Sequence, residues 1–305
     1  MQNHGTTANI GQRLAGKPRG GHTRGDDDDR VHGQDDSCAA AERKTKEHRV
    51  IDRFIAAAEA AADVAASVVR PFFRAGVAAD LKADESPVTI ADRSAELAMR
   101  GVLSQRFPDH TISGEEFGDL NPDQRYRWVL DPIDGTRAFI TGRPQFGTLI
   151  ALFDGSTPIL GVIDQPITRE RWIGAAGRKT IFHGEFGVAG CRPCPTLSHA
   201  ELSCTSPQIY AGDEPRWQKL RDSVRRTSYG GDCYAYGLLA LGQIDTIAEA
   251  TMQIWDWAAL VPVIEGAGGS ITDWNGAPLR PGGDGRVLAL GDPSLLGHAI
   301  EIWAA

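Results

Sequence analysis

The chain has 305 residues, of which 41% are hydrophobic, and it carries a net charge of −8 with an isoelectric point near 5.5. This length and composition are sufficient for one large globular domain or two smaller ones. The acidic balance and the lack of a stripe rich in Lys and Arg argue against nucleic acid as a main partner. The sequence has no apolar run of about 18 residues and no apolar signal segment, so we expect a cytoplasmic protein that does not contact a membrane.

The five cysteines are an odd number in a chain long enough to fold without cross-links, which predicts reduced thiols. Cys191 and Cys194 form a lone CxxC motif, with no second pair and no histidine at ligand spacing. Two loop thiols are therefore favoured there over a zinc or redox site.

The N-terminal segment, residues 1–45, is polar and lacks hydrophobic periodicity, which predicts a disordered tail. It contains a run of four aspartates at residues 26–29. Because no turn converges these side chains, a solvated acidic patch is favoured over a cation site.

The first folded half is predicted over residues 46–184. Apolar residues spaced by three and four predict a helix from about residue 47 that ends near Pro71 and Gly76. The second helix is predicted over residues 92–106. Short strands then follow, and Asp154-Gly155-Ser156 is predicted to join two of them as a hairpin. The predicted strands cover residues 111–113, 126–131, 146–153 and 159–164.

The second half is predicted over residues 185–305, where helices and strands alternate as in an α/β arrangement. The predicted helices cover residues 213–225, 233–241, 255–266 and 293–303. The predicted strands cover residues 246–249, 270–273 and 286–290.

Two carboxylates stand three residues apart where the apolar strand ends, in the run Trp128-Val129-Leu130-Asp131-Pro132-Ile133-Asp134-Gly135-Thr136. Pro132 forces a turn after Asp131, and Gly135 lets the following backbone approach a ligand closely. Two unpaired carboxylates this close repel each other, whereas a divalent cation turns the same geometry into an attraction. The run therefore predicts a site for metal and phosphate.

The segment Asp131-Pro132-Ile133-Asp134-Gly135-Thr136 resembles the first signature of the inositol monophosphatase superfamily. Three further pieces resemble the same pattern: Lys82 with Pro87-Val88-Thr89-Ile90-Ala91-Asp92, then Gly114-Glu115-Glu116, and finally Trp255-Asp256-Trp257-Ala258-Ala259 followed by Glu265-Gly266-Ala267-Gly268-Gly269. The resemblance runs from about residue 48 to the C-terminus.

This resemblance implies a magnesium-dependent, lithium-sensitive phosphatase that acts on a small phosphorylated substrate. It also implies an α/β (α+β) fold, the layered α-β-α-β-α sandwich of the inositol monophosphatase and fructose-1,6-bisphosphatase type, with the site between the two halves. A homodimer is the family-based expectation for the assembly.

The resemblance further implies two or three Mg²⁺ ions held by oxygen ligands. Glu115, Asp131 and the backbone carbonyl of Ile133 would bind the first ion. Asp131, Asp134 and Asp256 would bind the second, and a third, if present, would lean on Glu115. The alternative for Asp134 is an arginine partner, either Arg137 or Arg143.

Catalytic roles follow from the same resemblance. Glu115 would help to hold the ion whose water attacks phosphorus, and the proton of that water would pass toward Thr136 and Asp92. The backbone N–H groups of Gly135 and Thr136 would cradle the phosphate oxygens. Taken singly, Asp92 and Thr136 are equally well explained as helix N-caps.

Two segments resemble the histidinol-phosphate phosphatase branch more than the inositol branch: residues 137–150 and Gly230-Gly231-Asp232-Cys233-Tyr234-Ala235-Tyr236. Histidinol phosphate carries an ammonium and an imidazole, so Asp232 and Glu249 are predicted to bind the cationic part of the substrate. The alternatives are an N-cap for Asp232 and a strand-end acid for Glu249. Arg137 would either meet the phosphate or pair with Glu116.

The sequence thus predicts hydrolysis of L-histidinol phosphate to L-histidinol and phosphate, a step of histidine biosynthesis. The rival substrate is myo-inositol 1-phosphate or another small sugar phosphate, with phosphoadenosine phosphate a weaker third choice. A hypothesis of a different class is a catalytically silent, metal-binding regulatory protein. Loss of a ligand would mark such a protein, but all the liganding positions are present.

Overall fold

The structure is a computed structural model that describes residues 32–76, 79–81 and 87–304. Two units are distinguished, Met1–His48 and Arg49–Ala305, and the architecture below is that of the second. Lys82 lies outside the described residues, as does the predicted acidic patch at residues 26–29.

The helices of the described chain are interspersed with short 3₁₀ turns at Arg70–Phe72, Leu197–His199, Pro207–Tyr210 and Pro293–Leu295. The α-helices are α1 (His32–Val69), α2 (Ile90–Arg106), α3 (Thr136–Ile140), α4 (Glu214–Ser223), α5 (Asp232–Ala240), α6 (Ile254–Trp257), α7 (Leu260–Gly266) and α8 (Leu296–Ala304). None of these helices combines the length and the apolar character needed to cross a membrane.

The strands form a two-stranded ribbon and two larger sheets. They are β1 (Ala79–Leu81), β2 (Pro87–Thr89), β3 (Thr111–Gly114), β4 (Tyr126–Asp134), β5 (Gly147–Asp154), β6 (Thr157–Gln165), β7 (Glu170–Ala175), β8 (Ile181–His183), β9 (Glu201–Cys204), β10 (Arg226–Tyr229), β11 (Thr246–Glu249), β12 (Ser270–Thr272) and β13 (Val287–Leu290).

The first sheet has six strands in the order β3-β4-β5-β6-β7-β8. β3 runs parallel to β4, and every later pair is antiparallel. The predicted hairpin is confirmed, since Asp154 pairs with Thr157 across a turn in which Gly155 adopts a φ of 60°.

The second sheet has five strands in the order β10-β9-β11-β13-β12. β9 is parallel to both β10 and β11, whereas β13 is antiparallel to both of its neighbours. The predicted boundary between residues 184 and 185 falls between the two sheets, which belong to one compact unit.

Three apolar cores hold these elements in layers. The first lies between α1, α2 and one face of the six-stranded sheet, and includes Phe54, Met99 and Trp128. The second joins the other face of that sheet to α5, α7 and the five-stranded sheet. The third lies between the five-stranded sheet and the pair α4 and α8. The layered α-β-α-β-α arrangement is therefore confirmed.

Three sequence expectations differ from the structure. Helix α1 begins at His32, so residues 32–45 of the predicted tail are helical; alanines and the Glu, Lys and Arg after them favour this conformation. The helix predicted over residues 255–266 is divided into α6 and α7, because Pro262 has no N–H to donate back to the preceding turn.

Strands β7 to β10 were not among the predicted elements. Strands β9 and β10 have four residues each, and both contain polar side chains at alternating or adjacent positions. Their extended conformation depends on pairing within the second sheet, which a local pattern does not reveal.

Candidate active site

Strand β4 brings the acidic signature to the layer between the two sheets. Trp128 and Leu130 point into the first core and Val129 into the second, so the alternation directs Asp131 toward the middle layer of helices. Asp131 is only 1% exposed. The predicted turn after Asp131 is wrong, because β4 continues to Asp134; Pro132, which has no N–H to donate, instead shifts the pairing of β4 with β5 between Asp131 and Asp134.

Three of the predicted metal ligands meet at this point. One carboxylate oxygen from each of Asp131, Asp134 and Asp256 lies within 4.8 Å of the other two. Asp256 comes from the first turn of α6, where its carboxylate accepts a hydrogen bond of 2.7 Å from the Gln253 N–H.

Glu115, the fourth predicted acid, follows directly after β3. Its N–H donates to the carbonyl of Leu130 over 3.1 Å, which places it next to Asp131 in the adjoining strand. The two side chains, Glu115 and Asp131, are hydrogen-bonded to each other. The four predicted acids thus come together from three separate parts of the chain: the end of β3, strand β4 and helix α6.

This convergence is electrostatically unfavourable without a cation. Burial raises the pKa of Asp131 well above its usual value, and the charges of Glu115, Asp134 and Asp256 raise it further. The pKa of Asp134 is raised by burial and then by Asp232 and Asp256. A set of hard oxygen donors that repel one another fits a divalent cation of the Mg²⁺ type.

The turn after Asp134 contains the other signature residues. The Thr136 hydroxyl donates a hydrogen bond of 3.1 Å to the carbonyl of Ile133. This carbonyl, which is one of the predicted metal ligands, therefore lies beside the start of α3. Gly135, not Thr136, is the N-cap of α3, and its φ of 85° favours glycine. The first N–H groups of a helix lack intrahelical partners and are available to an anion.

Asp92 is buried in the first turn of α2. Its carboxylate accepts hydrogen bonds from the N–H and the hydroxyl of Thr89, over 2.8 and 2.5 Å. Thr89 is therefore the N-cap, and Asp92 completes the capping box instead of capping the helix itself. Burial raises the pKa of Asp92 to about 6 against the opposing effect of Thr89, with Glu116 adding to the rise. Among the described residues no hydrogen bond joins Asp92 to Thr136.

A cavity of about 180 Å³ opens beside the metal-ligand candidates. Asp134 and Asp256 line it together with Asp232 and Glu249, the two acids predicted to bind the cationic part of the substrate. Two of the predicted metal ligands and both predicted substrate-binding acids therefore face the same space.

Asp232 is the first residue of α5, and Gly231 is the N-cap. Its φ is 44°, which is uncommon for a residue with a side chain and is concentrated at functional sites. A Cβ on Gly135 would lie 3.1 Å from the Asp232 Cβ, so the two loops are in close contact. Burial raises the pKa of Asp232 to about 6, although nearby Arg143 and Arg137 oppose the rise.

Glu249 is the last residue of β11 and is 5% exposed. Its carboxylate accepts from the N–H and the hydroxyl of Thr205, over 2.7 and 3.1 Å. Burial raises its pKa to about 8. Glu249 is thus a strand-end acid, as the alternative states, and it also lines the cavity.

The structure identifies neighbours that the sequence analysis missed. The Cys233 N–H donates to Asp134 over 2.6 Å, and the Thr205 hydroxyl is hydrogen-bonded to Asp232 as well as to Glu249. Cys233 directly follows the predicted site residue Asp232, so its position in the sequence could have indicated that it lies in the site. Thr205 follows β9, a strand that no local sequence pattern predicted. The charges acting on Asp134 are acidic, so the arginine alternative for this residue is not supported.

The described cysteines are free thiols, in agreement with the prediction. Cys191 is partly buried and Cys194 is buried. Burial raises the pKa of the Cys191 thiol to about 11, which disfavours a reactive thiolate. Among the described residues, the group of His, Cys, Asp or Glu side chains close enough together to hold a metal ion is Asp131, Asp134 and Asp256.

Known proteins are similar to this chain in sequence. The profile of the "Inositol monophosphatase family" matches residues 50–302. A protein of Arabidopsis thaliana named "Bifunctional phosphatase IMPL2, chloroplastic" is 51% identical over 261 residues, or 82% of this chain and 75% of that protein. A "Histidinol-phosphatase" of Mycobacterium tuberculosis is 38% identical over 67% of this chain and 80% of that protein.

A solved structure gives the same result. An inositol monophosphatase from Zymomonas mobilis is 50% identical and superimposes with a TM-score of 0.76, covering 83% of this chain and 98% of that one. The layered fold, the converging acids and these matches define a metal-dependent phosphatase. The chain belongs to the inositol monophosphatase family.

Proposed function

We propose that the protein hydrolyses L-histidinol phosphate to L-histidinol and phosphate, with Mg²⁺ as its metal. The observation that carries this proposal is that Asp232 and Glu249 line the same cavity as Asp134 and Asp256. A substrate with phosphate at one end and cationic groups at the other matches a cavity with metal ligands on one side and further carboxylates beside them. The 38% identical histidinol-phosphatase supports the same substrate.

The metal would be held by oxygen atoms of Glu115, Asp131, Asp134 and Asp256, with the carbonyl of Ile133 as a further ligand. When bound, divalent ions of this kind supply an activated water and neutralise charge on the phosphate and the leaving oxygen. The absence of His and Cys from the acidic cluster suits Mg²⁺, which prefers hard oxygen ligands.

The remaining site residues have roles in orientation and proton transfer. The N–H groups of Gly135 and Thr136 donate to phosphate oxygens at the start of α3. The Thr136 hydroxyl orients the attacking water, and Asp92 accepts its proton. A pKa of about 6 suits Asp92 to accept a proton near neutral pH.

Asp232 and Glu249 would bind the ammonium and imidazole of histidinol, and Arg137, whose charge acts on Asp232, would meet the phosphate. A neutral cyclitol brings no cation to these acids. Acids covered by a neutral ligand lose water and gain no counter-charge, so the cavity should discriminate against inositol phosphate.

The test compares initial rates of phosphate release from L-histidinol phosphate and from myo-inositol 1-phosphate by the purified full chain with Mg²⁺. We expect kcat/KM to be at least about 100-fold higher for histidinol phosphate. A preference for the inositol ester would contradict the proposal. Asp131→Asn protein, purified in the same way, measures any contaminating phosphatase.

Inositol phosphate is the second candidate substrate. The 50% identical structure from Zymomonas mobilis is described as an inositol monophosphatase, and the relative from Arabidopsis thaliana is named bifunctional. Activity on both esters within about 10-fold of each other would favour a bifunctional enzyme. The homodimer and the cytoplasmic location stay predictions, and sedimentation velocity measures the first of them.

A further inference from the structure

The loop that carries Glu115 is attached to α2 by one buried ion pair. Glu96 is fully buried, and its carboxylate lies 2.7 Å from the Nε of Arg100, one helical turn further along α2. Asp92, Glu96 and Arg100 are spaced by four residues, so they share one face of the helix.

Both members of the pair bind the backbone of this loop. The two Glu96 oxygens accept from the N–H groups of Glu116 and Phe117, over 2.8 and 3.2 Å. The Arg100 guanidinium donates to three carbonyls that surround the same loop: Ile112 at 3.1 Å, Phe117 at 2.5 Å and Gly118 at 2.8 Å.

Gly114, the residue before Glu115, has no side chain, and this leaves room for the ion pair. A Cβ at Gly114 would overlap the Glu96 carboxylate, which occupies the space that any side chain there would need. The backbone is therefore fixed on both sides of Glu115, at Gly114 and at Glu116, by the same buried acid.

Glu115 needs such support because it lies against other acids. Its carboxylate is hydrogen-bonded to Asp131, which is also close to Asp134 and Asp256. Like charges in this arrangement repel, so before the cation binds, a free loop would move Glu115 away from the cluster.

We propose that Glu96 and Arg100 are positioning residues that hold the Glu115 loop in its metal-binding conformation and so set the affinity for the divalent ion. The inference depends on the proposed ligand role of Glu115. Partners that orient a ligand without touching the metal commonly contribute 10- to 100-fold to metal affinity.

The test measures metal binding directly on the full chain, by isothermal titration with Mg²⁺ and by electron paramagnetic resonance of free Mn²⁺. In Glu96→Gln, the amide NH₂ replaces one acceptor and faces N–H groups, so we expect the dissociation constant to rise by about 10-fold or more. The kcat at saturating metal should change much less than the metal concentration needed for half activity. Arg100→Lys keeps the charge but loses the fork of donors, and should weaken binding by a few-fold.

Asp245→Asn is the matched control. Asp245 is also buried, is paired with Arg192 over 2.6 and 2.7 Å, and accepts a backbone N–H, that of Glu201, over 2.8 Å. It directly precedes β11 and is not among the acids of the proposed metal site, so its variant should lower the melting temperature and leave metal affinity unchanged.

A folded Glu96→Gln protein that binds the metal as tightly as wild type would overturn the inference. If Glu96→Gln does not fold, unchanged affinity in Arg100→Lys would overturn it. Unchanged affinity in Glu115→Gln would also remove the ligand role on which it depends. The readout uses no substrate, so a preference for another phosphate ester would refute the proposed substrate and leave this inference intact.

Discussion

Two groups of acids contribute to one cavity but have opposite surroundings: Asp134 and Asp256 line it from the first group, and Asp232 and Glu249 from the second. The acids proposed to hold the metal, here the metal-site acids, are Glu115, Asp131, Asp134 and Asp256, and the neighbours that shift the pKa of Asp131 are themselves acidic. The acids proposed to bind the substrate, here the substrate acids, are Asp232 and Glu249, which share hydrogen bonds with Thr205, and Asp232 also lies near two arginines.

The difference indicates where each group obtains its counter-charge. The metal-site acids cannot all ionise together unless a cation is present. The substrate acids have pKa values raised only to about 6 for Asp232 and about 8 for Glu249, so ionisation near neutral pH is accessible to them. A cationic substrate would then complete their charge balance, as a metal ion would for the first group.

The largest effect is expected from Asp131→Asn. The amide oxygen can still accept the Ile133 N–H, which lies 3.0 Å from the carboxylate, so the fold should be retained. Loss of a direct metal ligand should lower phosphate release by more than the roughly 100-fold typical of an outer partner. Without metal, the variant should melt no lower than wild type, because a repelling charge has been removed.

Phosphate release and thermal melting, each with and without Mg²⁺, check this prediction. Asp245→Asn is the contrasting variant, since it leaves Arg192 without its buried partner and should lose stability while keeping activity. Retained activity in Asp131→Asn would remove the metal-site acids from the mechanism.

The second prediction concerns pH and Glu249. Burial raises the pKa of Glu249 from its usual 4.5 to about 8. A raised folded-state pKa gives a stabilising term that is complete below pH 4.5, because both states are then protonated. Between about pH 4.5 and 8 the unfolded state releases its proton first, so the stability of the metal-free protein should fall across this range.

Urea midpoints measured in EDTA at several values from pH 5 to pH 8 check this slope. In Glu249→Gln the neutral amide replaces the neutral acid, so the variant should resemble wild type at pH 5 and lose less stability by pH 8. Glu115 and Asp131 titrate in both proteins, whereas Asp232 and Asp256 interact with Glu249, so any change in their titration belongs to the effect of the substitution. Equal slopes would show that Glu249 does not carry the raised pKa.

The third prediction separates the two groups by substrate. Glu249→Gln removes one of the two charges that would bind the cationic end, so KM for histidinol phosphate should rise by at least about 10-fold. Turnover of myo-inositol 1-phosphate should be unchanged or improved. An equal loss of activity toward both esters would show that Glu249 stabilises the site as a whole and does not determine substrate specificity.

The sequence predicted the metal-site acids better than their support, for a physical reason. Asp131 and Asp134 lie in one short motif at the end of an apolar strand, and Glu115 and Asp256 lie in motifs that resemble the same family, so local patterns suggested all four; the structure brings Asp131, Asp134 and Asp256 together. Their convergence depends on strand register and on helices from both halves, which the resemblance implied but no local pattern contains.

The residues that were missed act through the folded chain. Thr205 reaches Glu249 across 44 positions, and Glu96 reaches the Glu116 N–H across 20. The strand preceding Thr205 is extended because β10 and β11 pair with it. The break between α6 and α7, by contrast, could have been predicted from the sequence, because Pro262 lies inside the predicted helix.

The smallest effect is expected at Thr205, where the two substrate acids are joined. Thr205→Val keeps the shape and the N–H that donates to Glu249 but removes the hydroxyl shared with Asp232. A net hydrogen bond contributes about 0.5–1.5 kcal/mol, so KM for histidinol phosphate should rise by roughly 2- to 10-fold. Thr205→Ser retains the hydroxyl and should restore most of the loss. Because the hydroxyl touches the substrate acids and not the metal-site acids, the Mg²⁺ concentration for half activity should be the same in all three proteins. A shift in that concentration in Thr205→Val would mean that the two acidic groups respond as one, and the distinction between them would fail.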